Sequence, residues 1–163
     1  MKIIVAALTF LTLSFYSYAQ DATKKETQDW IKEKLELYAY QDDGKTEYKY
    51  KISFDDKNII VDEELMLDIM ANNLIQKTII PIKNLMQITF EEKQNNVWMY
   101  FKIRGNNKEI KCIPKEVNEV NYESKYQLLL SKSIDDENLR PRITKAFKHL
   151  VKLYGGVVTK EKF

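Results

Sequence analysis

The sequence predicts an α+β protein: seven antiparallel strands, curled or closed into a barrel, with one helix at each end. Three observations carry that reading. "YKYKISF" (Tyr48 to Phe54) and "VWMYFKI" (Val97 to Ile103) alternate apolar and polar residues with the period of a half-buried strand. Short polar runs rich in Asp, Asn and Gly separate such segments, as turns do. "LRPRITKAFKHLVKLYGG" (Leu139 to Gly156) instead carries a helical period.

The chain of 163 residues opens on a different signal. Lys2 precedes an apolar run from Ile3 to Leu13, and Ser17-Tyr18-Ala19 supplies a small-x-small site before Gln20. This is the three-part pattern of a secretory signal peptide, with cleavage expected after Ala19. The run is short for a membrane span of ~20 residues, although a retained anchor is the other reading. Residues 20–163 then suit one domain with its own core, exported, periplasmic or extracellular, and soluble after cleavage. Basic and acidic residues nearly balance, 26 against 24, so nothing favours nucleic acid or a strongly anionic surface as partner. Cys112 is the only cysteine, so no internal disulfide can form. In "EIKCIP" it stands in register with Ile110 and reads as a small buried residue rather than a nucleophile.

The elements follow in order. "TKKETQDWIKEKLELYAY" (Thr23 to Tyr40) reads as a helix with a capping box from Thr23 and Glu26. Trp30, Ile31, Leu35 and Tyr38 form its apolar stripe, and Gly44 is expected to end it. Strands are expected at Tyr48 to Phe54, Ile59 to Met70, Leu74 to Ile80, Met86 to Phe90, Val97 to Ile103, Ile110 to Ile113 and Tyr126 to Ser131. Turns are expected at "DDKN", at Asn72-Asn73, in "EEKQNN" and in "GNN" (Gly105 to Asn107). Consecutive strands joined this way imply an antiparallel meander, whose edges a barrel would remove.

On the final helix, Leu139, Ile143, Ala146, Phe147, Leu150, Val151, Leu153 and Tyr154 share an arc of roughly 160°. Arg142, Lys145, Lys148, His149 and Lys152 oppose them. The helix could lie on a membrane or an acidic partner. A lid whose apolar face plugs the barrel is the preferred reading, since surface helices usually look like this.

Seven strands and one capping helix are the layout of the pleckstrin-homology-like superfold. The signal peptide, "TKKETQDWIKEKL" and "ITKAFKHLVKLYGG" make the chain resemble small exported bacterial proteins of unknown function with a pleckstrin-homology (PH)-like domain. The resemblance implies a binding module rather than an activity. The superfold's inositol phospholipid site is not supported here. Lys49 and Lys51 are present, but the following strand carries Asp62, Glu63 and Glu64.

No motif for catalysis, cofactor or metal is evident. Gly-rich phosphate loops, G-x-S-x-G and HExxH are absent. The acid pairs Asp42-Asp43, Asp55-Asp56, Glu91-Glu92 and Asp135-Asp136 fall in expected turns or caps and lack calcium-loop spacing. The only histidine, His149, has no evident tie to Cys112. One strand face combines Trp98, Tyr100, Lys102 and Arg104, which suits a protein or peptide partner; the competing reading makes Trp98 and Tyr100 the floor beneath the first helix. The expectation is a non-catalytic exported domain that binds a protein, peptide or envelope component. The alternative is a lipocalin-like carrier of a small apolar ligand.

Overall fold

The computed structural model describes residues 22–42, 46–67, 70–93, 96–115 and 119–157. The expected signal peptide therefore lies outside the described residues, as does Gly44. The fold is α+β, with two helices and two antiparallel sheets that do not close into one barrel.

Helix α1 (Lys24–Tyr38) starts as its sequence dictates. The Thr23 hydroxyl accepts from the Glu26 backbone at 3.2 Å, and the Glu26 carboxylate accepts from the Thr23 backbone at 2.8 Å. The helix stops at Ala39, whose N–H reaches the Leu35 carbonyl, because a short strand follows at once. That strand, β1 (Tyr40–Asp42), pairs with β2 (Thr46–Phe54). β1 is only three residues long, too short to show a period.

β2 continues through a tight turn to β3 (Asn58–Leu67) and then to β4 (Met70–Pro81). In the turn, Asp55 Oδ1 accepts from the N–H groups of Lys57 and Asn58 at 2.7 and 2.6 Å. The expected turn at Asn72-Asn73 is instead inside β4, since β3 and β4 already pair at Leu67 and Met70. Two asparagines mark a turn only by tendency, and sheet pairing overrides it. Chain direction then changes at Pro81 and the 3₁₀ turn Ile82–Asn84.

β5 (Leu85–Lys93) and β6 (Asn96–Ile103) form a hairpin in the second sheet. Glu91 to Lys93, expected in a loop, extend β5. "GNN" does not make a hairpin. Arg104–Asn106 form a 3₁₀ turn with Gly105 at φ +69°, and the chain crosses back to the first sheet. There β7 (Ile110–Pro114) pairs with β4, and β8 (Asn121–Glu123) pairs with β7. β9 (Lys125–Ser131) returns to pair with β6. The sheets run β1-β2-β3-β4-β7-β8 and β5-β6-β9. The expected simple meander thus fails at three points, after β4, β6 and β8, because crossovers between layers carry no local sequence signal.

The core lies between the sheets. Ile52, Ile59, Val61 and Ile80 face Val97, Met99, Phe101, Ile103, Leu128 and Leu130, all inaccessible to solvent. Helix α2 (Leu139–Leu153) closes it. Leu139, Ile143, Phe147, Leu150 and Val151 are 0–3% exposed, and the Phe147 ring meets Phe101 edge-on at 5.5 Å. Leu153, expected on the same arc, is 38% exposed because it lies at the helix end. A Schellman turn finishes α2: Gly156 N–H reaches Val151 O and Gly155 N–H reaches Lys152 O, both at 2.9 Å. Gly155 takes φ +70°, and a Cβ on Gly156 would stand 2.6 Å from the Lys83 carbonyl.

Helix α1 packs against α2, β2 and β9 rather than on a Trp98–Tyr100 floor. Its Glu36 performs a specific task. β1 covers β2 only as far as Lys49, so the N–H of Ile52 would stand at an open edge. The Glu36 carboxylate accepts from it at 2.8 Å.

Candidate functional site

Side chains alternate along each strand, and four strands of the first sheet bring a polar residue to the inner, core-facing side. On β2, Tyr50 is in phase with buried Ile52; on β3, Glu63 follows Ile59 and Val61. On β4, Gln76 is in phase with Thr78 and Ile80; on β7, Cys112 is in phase with Ile110. Register places Tyr50 opposite Glu63 and Glu63 opposite Gln76, so the apolar inner face ends in a polar row. At this end a cavity of about 420 Å³ is lined by residues of both faces of β9, which is the last strand of its sheet. Tyr50, Glu63, Gln76, Trp98, Cys112 and Tyr126 form its body, with Glu123, Lys125, Gln127 and Leu129 completing the lining.

Glu63 is one of two carboxylates that line this cavity. The Tyr126 hydroxyl donates to its Oε2 at 3.3 Å, and Tyr50 also hydrogen-bonds to the carboxylate. Burial pushes the Glu63 carboxyl above its ordinary range, and the two tyrosine bonds only partly oppose that. Burial and then the adjacent carboxylate hold the Tyr126 hydroxyl far above the usual tyrosine range. Among the described residues, no Lys or Arg is ion-paired with Glu63.

The thiol of Cys112 behaves as its sequence context suggests. It is buried and accepts from the Thr78 hydroxyl at 4.0 Å, and burial raises its pKa. His149 sits elsewhere, with Nε2 2.7 Å from the Ala22 carbonyl. It lines a second cavity, about 570 Å³, between α1 and α2 with Trp30 and Arg142. Cys112 and His149 therefore do not form a pair. Among the described residues, no group of three His, Cys, Asp or Glu is placed to hold a metal ion.

The four residues singled out on the sequence are only partly brought together. Trp98, Tyr100 and Lys102 share one face of β6, but Arg104 leaves the strand and donates to the Val157 carbonyl. Tyr100 is buried: its hydroxyl donates to Glu91 at 2.9 Å and accepts from Lys93 at 3.3 Å, while the Lys125 ammonium lies 3.7 Å from its ring centre. These contacts occupy it. Trp98 alone of the four lines the inter-sheet cavity.

No family model, curated protein or solved structure matches the chain. The site stands on its geometry. Sequence reasoning missed Tyr50, Glu63, Gln76 and Tyr126 as a group. One signal was available: Glu63 holds a strand phase otherwise given to Ile59 and Val61.

The outer side of the first sheet has the opposite character. Lys49 stands opposite Glu64, and Lys51 opposite Asp62, whose carboxylate also meets Lys77 at 3.5 Å. These lysines have carboxylates as neighbours on the adjacent strand.

Proposed function

We propose that the protein is a non-catalytic binding domain whose ligand enters the cavity between the two sheets. One observation carries this reading: a half-buried carboxylate, Glu63, lines an open cavity with the hydroxyls of Tyr50 and Tyr126 on it, and Trp98 lines the same cavity from the outer face of β6. Convergent polar groups in a concave, partly aromatic pocket are the usual mark of a ligand site. The polar lining supports a protein or peptide side chain, or a small polar molecule, over the apolar cargo of a lipocalin-like carrier. The order of elements, with two packed sheets and a C-terminal helix over the core, supports kinship with PH-like domains, which are binding modules. Export after cleavage at Ala19 belongs to the same proposal and rests on the N-terminal pattern. Among the described residues, no helix is long and apolar enough to cross a membrane.

A fragment-library screen by amide NMR tests the reading. Hits are expected to shift the amides of Glu63, Gln76, Trp98, Cys112 and Tyr126 and to disappear in a Trp98→Ala variant. Hits that gather in the groove between α1 and α2, with none at the inter-sheet cavity, would overturn it.

A further inference from the structure

We infer that the inter-sheet cavity selects an organic cation, a primary ammonium or a guanidinium group, held on the carboxylate of Glu63. The inference deepens the binding role proposed above and rests on it.

A carboxylate withdrawn from water is unfavourable unless hydrogen bonds and a counter-charge replace its hydration. Glu63 has the hydrogen bonds, from Tyr126 and Tyr50, but no cation among the described residues is ion-paired with it. Glu123 adds a second carboxylate to the lining. The one ammonium that contributes to the lining, Lys125, is spread over the ring of Tyr100 at 3.7 Å. The balance of fixed charge in the cavity is therefore negative.

Its walls suit the same ligand. Trp98, Tyr50 and Tyr126 offer aromatic surface, and a cation gains from the negative face of such rings. Gln76 adds a side-chain amide that can orient a second polar group. A volume of about 420 Å³ accommodates a small amine or the end of a lysine or arginine side chain. An anion would meet Glu63 and Glu123 at once.

A charge series on the full chain tests this. A Trp30→Phe substitution leaves Trp98 as the only tryptophan, since the sequence has two. Ethylammonium, guanidinium, ethanol and acetate are titrated at neutral pH, with Trp98 emission and pocket amide shifts as readouts. Ethylammonium and guanidinium are expected to give saturable changes, and ethanol and acetate none. Nα-acetyl-lysine amide, compared with ethylammonium, separates a peptide source from a free amine by which binds more tightly. Glu63→Gln, close in shape, should weaken the cations by at least about tenfold through loss of a charge-assisted hydrogen bond. If ethanol binds as well as ethylammonium, or Glu63→Gln leaves cation binding intact, the cation inference falls while the binding role survives. If neither these probes nor the fragment library reaches the cavity, both fall. The series on the protein with Glu63 intact decides the matter even if Glu63→Gln does not fold.

Discussion

Glu63 shows how one residue can oppose the stability of its own fold. Its folded pKa is raised by burial, so its contribution is fully present below the unfolded value and is lost as pH rises through the folded one. Tyr50, Gln76, Cys112, Glu123, Lys125 and Tyr126 surround it, and none supplies a paired cation. Glu63→Gln should therefore melt at or above the temperature of the parent protein at pH 7. The difference should shrink or reverse toward pH 4. Calorimetric melts across that range check this, and a variant that melts lower at pH 7 would show that the charged form is stabilising. The position was half legible in the sequence. Alternation along β3 assigns Glu63 to the inner face. Only the pairing of β3 with β2 and β4 reveals that Tyr50 and Gln76 stand beside it. Tyr126 arrives from the other sheet, and no local pattern encodes that distance.

Among the elements, the helices were the easiest to read and the short strands the hardest. The capping box of α1 and the apolar stripe of α2 are local, each complete within a few turns. On the sequence the crossover from β6 to β7 has the look of a hairpin, because Gly105 and two asparagines favour a turn whatever follows it. Alternation likewise puts Arg104 on the face of β6, since its phase continues but its strand does not. The bond from the β2 edge to α1 makes a prediction at this scale. In Glu36→Ala the amide of Ile52 loses its acceptor, which should cost about 1 kcal/mol. Hydrogen exchange at Ile52 should quicken more than at Val61, which is inside the sheet. Equal protection in both proteins would mean that the edge is closed by something else.

For the whole molecule, α2 is a lid by the measure of burial, not an exposed amphipathic tool. Phe147 touches Phe101, whose ring lies 6.0 Å from that of Tyr126, so an aromatic line runs from the lid to the wall of the cavity. Phe147→Ala should cost ~3–5 kcal/mol by leaving a void that rigid sheets cannot fill. Against a total of ~5–15 kcal/mol, thermal melts or expression level should register that loss. Reversing the charge of exposed Lys145 or Lys152 should stay within ~0.5 kcal/mol each. The reverse ranking would return the helix to the role of a contact surface.

The strand order also governs when this chain can become a protein. β4 waits for β7, β6 waits for β9, and both inner faces wait for a helix that ends at Leu153. A nascent chain can form its hairpins early, but its long-range pairings and its closure come last. Residues such as Ile52, Val61 and Phe101 thus stay uncovered until the segment through Leu153 has been made. Closure of the core then waits for the last helix, and a chain that still lacks it is the species most open to chaperones and proteases.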